Sequence, residues 1–372
     1  MPDPIHLVDI AQQHAELDAE LRAVLGEVIE SGAFVLGKYV AAFEEAFAGT
    51  LGVPHAVGVN SGTDALLLAL DAVRLQYGPG EVITTPFTFF ATVESVLQAG
   101  HTVRFVDIDA STFNLDPDAT AAAHGSNTAA VLPVHLYGQC ADVDRLSFGD
   151  TPIIEDAAQA VGATYKGRPA GGLGLAAGFS FYPTKNLGAM GDAGAVTTND
   201  GEFAALIRSL RAHGEVRSET ARTYHYERLG RNSRLDAFQA AVLTVKLTRW
   251  AHWQDARNEN AAFYDEALAG IDGLTPPPPA RHGRHVYHQY AVRAQRRDDL
   301  KRHLADGGVF TNVFYPQTLH TQPAMARHGL TEGAFPVAEQ ATREALSLPV
   351  HAHLTAADRE RVVAEIRAFY GA

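Results

Sequence analysis

The 372-residue chain contains one cysteine, Cys140. A single thiol excludes an internal disulfide and leaves CxxC-type zinc chemistry without residues, which fits a reducing compartment. Long apolar runs are missing too, and no segment approaches the roughly 18 apolar residues of a membrane helix. The opening "MPDPIHLVDI" has neither the basic start nor the apolar stretch of a signal peptide, so a soluble, intracellular, cytoplasmic protein is expected. Positive charge is scarce: the net charge is −13, which disfavours nucleic acid and acidic membrane surfaces as partners. Lysine is scarcer still. Only Lys38, Lys166, Lys185, Lys246 and Lys301 stand against 25 arginines.

What is present is ordinary globular composition, 46% hydrophobic and 20% charged, with length for one large domain and a smaller one. Short β-rich runs, "EVITT" (81–85), "TVRFVDID" (102–109), "AAVLPVHLYG" (129–138), "TPIIEDAA" (151–158), "GFSFY" (178–182) and "GAVTTND" (194–200), alternate with helical patterns such as "TDALLLALDAV" and "ATVESVLQAG". That alternation predicts an α/β fold whose mostly parallel sheet is covered by helices, with ligands gathered at the carboxyl ends of the strands. A long helical pattern runs from 232 to about 270, then the breaker "TPPPPA", then "HVYHQYAVR" as a strand and "RDDLKRHLADGG" as a helix. The predicted division is a large domain over 1–245 and a smaller α+β domain over 246–372.

The scarcity of lysine gives Lys185, in "FSFYPTKNLGAMGDAGAV", its interest. An amine can lose its proton in a desolvated site and act as nucleophile or base, which a guanidinium cannot. A carbonyl cofactor such as pyridoxal phosphate (PLP) needs a lysine, an acid for its ring nitrogen, a phosphate cradle and a flat face, and the chain offers a candidate for each. "VNSGTDALLLAL" places Ser61, Gly62 and Thr63 at a helix start, where backbone N–H groups and hydroxyls reach a phosphate; plain N-capping is the competing role. In "IIEDAAQA" the adjacent Glu155 and Asp156 point to opposite faces of a strand, so only one faces a site; Asp156 suits a ring-nitrogen partner, with a helix N-cap as alternative. "TTPFTFFATVESV" supplies Phe87, Phe89 and Phe90 as ring-stacking or core residues.

Other patterns carry less. Arg211, Arg217, Arg222, Arg228, Arg231 and Arg234, mixed with Glu215, Glu219 and Glu227, suit a small phosphorylated ligand or a solvated loop equally. "GGLGLAAG" imitates a dinucleotide fingerprint without the preceding strand or a ribose-binding acid. "GFSFY" lacks the second glycine of a nucleophile elbow. His282, His285 and His288, spaced by three on an expected strand, alternate faces and have no acidic co-ligand, so structural or substrate-side roles are expected instead of metal binding.

Taken in order and spacing, "SGTDAL", "TPFTFFAT", "PVHLYGQCAD", "IEDAAQAVGATYKG", "FSFYPTKNLGAMGDAGAV", "GRNSRLDAFQAAVL" and "HVYHQYAV" resemble the nucleotide-sugar aminotransferases of the DegT/DnrJ/StrS type along nearly the whole chain. The resemblance implies an aspartate-aminotransferase-like PLP fold of type I. It makes Lys185 the Schiff-base lysine and proton shuttle, and Asp156 the partner of the pyridine nitrogen. Gly62, Thr63 and Ser180 would hold the phosphate, with Gln159 near the ring hydroxyl and Phe89 stacked on the ring. It assigns Asn232 to the cofactor phosphate of the other subunit in a homodimer, and Tyr315 and His320 to the nucleotide-sugar side. Retention of Lys185 favours transamination over dehydration, with L-glutamate as the implied donor. "NLGAMGDAGA" is similar to members acting on 3-keto sugars more than to those aminating C4. Arg231, in place of an aromatic or aliphatic residue, and Phe89, in place of a tryptophan, depart from the family pattern. A C4 aminotransferase, a PLP-dependent sugar dehydratase or isomerase, and a regulator that keeps the fold are the remaining readings, and whether the nucleotide carries thymine or uracil is open.

Overall fold

The computed structural model describes residues 3–216 and 224–372. A four-stranded sheet in the order His55–Val59, Gly194–Thr198, Ala176–Ser180, Ile154–Asp156 is joined by parallel bridges, Val131 to Ile153 and Val134 to Asp156, to a three-stranded parallel sheet in the order Thr128–Val131, Glu81–Thr84, Thr102–Phe105. Only Gly194–Thr198 runs against its neighbours. The central strands are buried on both faces, as parallel sheets with helices on each side require. The helix Gly62–Tyr77 packs one face with Leu66, Leu67, Leu70 and Val73. On the other, Phe43 and Phe47 from Lys38–Leu51 make edge-on contacts with Phe179 and Phe181.

Several elements are shorter than the pattern predicts. The run from 129 ends as a strand at Val131, because Pro133 has no N–H to continue a ladder; its carbonyl accepts from Asp156 N instead. "HVYHQYAVR" becomes a strand only at Tyr290, since Val286 N and Gln289 N donate to the carbonyls of Gly138 and Tyr137 in the large domain. The expected strand geometry of His282, His285 and His288 therefore does not exist. The strand His55–Val59 was not anticipated. Its Gly58 breaks the β-rich pattern, and a Cβ there would lie 2.8 Å from Leu235 Cδ2, which is why a glycine sits in it.

The helix Ala237–Ala267 starts where the Asp236 side chain accepts from Gln239 N, and it runs from the core around the main sheet into a second core. There an antiparallel sheet, Leu274–Thr275, Tyr290–Ala294 and Ala345–Leu348, packs with the helices Arg297–Asp306 and Ala356–Tyr370 around Tyr264, Leu300, Leu346 and Ile366. Ile5, at the other end of the chain, closes this core through a bridge to Val309.

Candidate active site

The carboxyl ends of the parallel strands surround a cavity of about 690 Å³, within the range of roughly 300–1,000 Å³ usual for small-molecule sites. Asp156 and Ser180 arrive at the ends of their strands, Ser61 to Thr63 follow His55–Val59, and Thr88 to Thr92 follow Glu81–Thr84. Because Gly194–Thr198 runs the opposite way, its entry residues Asp192 and Ala193 reach the same edge.

At one end lies a cradle. Ser61 caps the helix, its Oγ accepting from Asp64 N at 3.1 Å, so capping accounts for Ser61 and leaves the Thr63 hydroxyl on the cavity wall. The helix start packs so closely on the neighbouring strand that a Cβ on Gly62 would sit 2.5 Å from Ser180 Cβ. A Cβ on Gly194 would lie 2.3 Å from the Ser61 carbonyl oxygen. These two glycines let the backbone approach, and the free N–H groups of the first helical turn then face the cavity beside two hydroxyls, which is an anion site.

At the buried end stands Asp156, 5% exposed. Its Oδ2 accepts from Thr92 Oγ1 at 2.7 Å and its Oδ1 from Ala158 N at 3.2 Å. Burial pushes its pKa up, opposed by the hydrogen bonds from Thr92 and Ala158 and by the charge of Lys185. Glu155 points away, as alternation along a strand requires. Lys185 lies on the loop leaving Ala176–Ser180, its amide donating to the Tyr182 carbonyl at 2.8 Å. Desolvation lowers its pKa to about 8 against the raising effect of Asp156. An amine in that state is partly uncharged near neutral pH, as a nucleophile or base requires.

The walls are aromatic and amide. Phe89 lines the cavity while remaining 60% exposed, with its ring centroid 6.3 Å from that of Tyr315; Phe87 is buried, and Phe90 packs in a separate cluster. Gln159 Oε1 accepts from Tyr137 N at 2.7 Å and its Nε2 donates to the Tyr315 hydroxyl at 3.2 Å. Burial, then Asp156, push the Tyr315 hydroxyl pKa up, so it stays protonated.

Two candidates lie elsewhere. Asn232 is exposed and outside the cavity, bridged to Ala212. His320 is also outside it, buried against Phe105 and Phe335 with Nε2 3.2 Å from the Glu339 carboxylate. In the arginine cluster, Arg211 is buried against Glu44 and the Gly58 carbonyl and Arg231 pairs with Asp71, so neither is a free phosphate ligand; Arg217, Glu219 and Arg222 lie outside the described residues. The cavity is also lined by Thr92 and Gln289, which the sequence does not single out, and by His288, in keeping with the structural or substrate-side role expected of it. Among the described residues no group of His, Cys, Asp and Glu could hold a metal ion, and no helix is long and apolar enough to cross a membrane.

The cavity fits PLP: an anion cradle where a Cβ would clash, a buried acid, an amine of lowered pKa and an aromatic wall all face one space. Comparison with known proteins agrees. Residues 15–367 match the model of the DegT/DnrJ/EryC1/StrS aminotransferase family. The chain is 44% identical to a pleiotropic regulatory protein of Geobacillus stearothermophilus, over 98% of both chains. It is 42% identical to a dTDP-3-amino-3,4,6-trideoxy-alpha-D-glucose transaminase of Streptomyces venezuelae, over 98% of this chain and 95% of that one. Among solved structures, S. venezuelae DesV in complex with a ketimine intermediate superposes with a TM-score of 0.95 at 41% identity, covering 100% of this chain and 99% of that one. The chain belongs to the DegT/DnrJ/EryC1/StrS family and is a PLP-dependent nucleotide-sugar aminotransferase of the type I fold.

Proposed function

We propose that the enzyme moves an amino group from L-glutamate to the C3 keto group of a nucleoside-diphosphate-linked keto sugar. The observation that carries this reading is the convergence of the partly deprotonated Lys185 and the buried Asp156 on one cavity with an anion cradle. Amination at C3 is supported by the "NLGAMGDAGA" stretch and by the 3-amino sugar in the name of the Streptomyces relative.

When bound, PLP supplies a carbonyl for the incoming amine and an electron-withdrawing ring. Gly62 N–H, Thr63 and Ser180 would hold its phosphate, and Asp156, fixed by Thr92, would stabilise positive charge at its ring nitrogen. Phe89 would cover one ring face and Gln159 would lie at the ring hydroxyl, since both line the cavity. Uncharged Lys185 Nζ accepts the proton leaving the donor's α-carbon; in the second half of the reaction it delivers one to the carbon that receives the amine. One base therefore serves both halves, and ping-pong kinetics follow. Tyr315 closes the wall on the substrate side. Asn232, exposed and outside its own chain's cavity, completes the site of a second copy in a homodimer.

A second reading, a regulator that keeps the fold, is favoured by the name of the Geobacillus relative. The presence of both Lys185 and Asp156 opposes it. The deciding experiment is the visible spectrum of the purified holoenzyme before and after L-glutamate. Bleaching of the yellow band with formation of 2-oxoglutarate is expected; an unchanged spectrum would overturn the donor assignment. Lys185→Ala should abolish turnover even where it still binds the cofactor, and normal turnover would overturn the Lys185 assignment.

A further inference from the structure

One polar cluster reaches the cavity wall without an assigned role: Asn186, Gln254, Asn258 and His288. Backbone carbonyls, which only accept, anchor the network and so orient every member of it. Asn258 lies 2.9 Å from the His285 carbonyl, and the contacting atom must be its Nδ2. Its Oδ1 is then turned to Gln254, whose Nε2 donates to it at 2.8 Å and to the Val286 carbonyl at 2.9 Å. Gln254 Oε1 is left to accept from Asn186 Nδ2 at 3.0 Å, and that same Nδ2 donates to the Val286 carbonyl at 2.8 Å. Asn186 Oδ1 is thereby the atom 3.1 Å from His288 Nδ1. An amide oxygen has no proton to give, so Nδ1 carries the ring proton.

Burial, then the charges of Lys185 and Arg257, hold the His288 pKa well below the usual imidazole value. The ring is therefore neutral, and its Nε2 keeps a lone pair. His288 and Lys185 line the same cavity, and Asn186, which fixes the imidazole, directly follows Lys185 in the chain.

We infer that His288 is a positioning residue for Lys185, locked by this amide relay in the Nδ1–H tautomer so that its Nε2 lone pair accepts a hydrogen bond from the lysine ammonium whenever that side chain is free. The inference rests on the Lys185 assignment above. A neutral acceptor suits the task. A second carboxylate beside Lys185, in addition to Asp156, would hold the amine protonated, and an imidazolium would repel it. The charged or titratable groups facing this pair are Asp156 from its strand, Arg257 from the 237–267 helix, and Tyr315 from the small-domain side.

The test uses the full-length holoenzyme converted by glutamate to the amino form of its cofactor, in which Lys185 is free. Imidazole nitrogen NMR, assigned with a His288→Gln variant, should show His288 with a protonated Nδ1 and a bare Nε2 through neutral pH. A protonated Nε2 or an imidazolium would overturn the inference. His288→Leu, which removes the acceptor, should lower kcat about tenfold or more with little change in KM for the nucleotide sugar, and should shift the pH profile. His288→Gln, whose amide can donate to Asn186 and still present an oxygen, should restore most of kcat. Equal losses in both variants with an unmoved profile would reduce His288 to packing and refute the inference. If instead Lys185→Ala kept normal turnover, the Lys185 assignment would be what fails, while the tautomer would still be read directly.

Discussion

Replacing Gly62 by alanine sets two effects against each other. Gly62 opens the helix Gly62–Tyr77, and alanine in a helix is favoured over glycine by roughly 0.5–1 kcal/mol. Its φ is not in the left-handed region, so no backbone strain opposes the change. The added Cβ, however, would lie 2.5 Å from Ser180 Cβ, 3.0 Å from its Cα and 3.1 Å from its Oγ. The Cα belongs to a strand paired on both sides, so it cannot simply step aside. Overpacking of this kind costs about 1–3 kcal/mol, and the clash should win by about 1–2 kcal/mol. The helix must back away from Ser180, and that widens the gap the phosphate is meant to fill. Gly62→Ala should therefore lower PLP affinity by more than tenfold while lowering thermal stability by only a few degrees. The assay is PLP titration of the cofactor-free protein by fluorescence quenching, with melting curves at zero and saturating cofactor. Thr63→Ala serves as the comparison, because it removes a hydroxyl without adding bulk. A Gly62→Ala protein that melted higher and bound PLP normally would refute the cradle.

Further expectations follow from the buried ionisable groups. Lys185 must be uncharged to react, so the rate at which cofactor-free protein takes up PLP should rise as pH passes about 8. Asp156→Asn removes the carboxylate that opposes desolvation and should move that midpoint lower; an upward movement would contradict the pairing. Thr92→Val deletes the 2.7 Å hydrogen bond that favours charged Asp156, so turnover should fall roughly tenfold with folding intact, as steady-state kinetics and circular dichroism will show. Lys246 is fully buried, donating to the Gly188 carbonyl at 2.7 Å and bonded to Gln13 and His14, with its pKa lowered to about 8 by desolvation. Between about 8 and the ordinary 10.5 the folded state binds fewer protons than the unfolded chain, so this site's contribution to stability rises with pH by at most about 3 kcal/mol. Urea unfolding at pH 7 and pH 9.5 should show wild type gaining on Lys246→Met at the higher pH, and a loss would refute the burial argument.

Much of the site was legible because each part has a local chemical signature: a lysine among arginines, small residues at a helix start, a carboxylate ending an apolar run. Gly62, Thr63, Phe89, Asp156 and Lys185, read from the residues themselves, line the cavity, as do Gln159, Ser180 and Tyr315, which the resemblance alone supplies. For His288 the spacing leaves only a structural or substrate-side role without saying which, because it suggests strand alternation, whereas its segment is hydrogen-bonded to the 136–138 turn. A signal existed in Gln254 and Asn258, amides one turn apart on a helix that buries much of its surface, since buried amides imply a polar partner. Asn232 and His320 carry no such signature. Like Gln159, Ser180 and Tyr315 they come from resemblance alone, but within one chain neither reaches the cavity.

The dipeptide Glu155-Asp156 shows why chemistry and scaffold are hard to separate in such a chain. Glu155 Oε1 accepts from Leu173 N and Gly174 N at 2.8 and 3.0 Å, and its Oε2 from Gly171 N and His135 Nε2 at 2.8 and 2.9 Å. His135 Nδ1 accepts from Ala141 N at 3.1 Å, so the proton is on Nε2 and the histidine is the donor to Glu155. The glycine-rich "GGLGLAAG" is thus an anion-binding loop whose anion is the protein's own carboxylate, which explains its likeness to a dinucleotide fingerprint. Because side chains alternate along a strand, four hydrogen bonds on one face fix the strand end from which Asp156 enters the cavity on the other. The outward carboxylate holds the inward one in register.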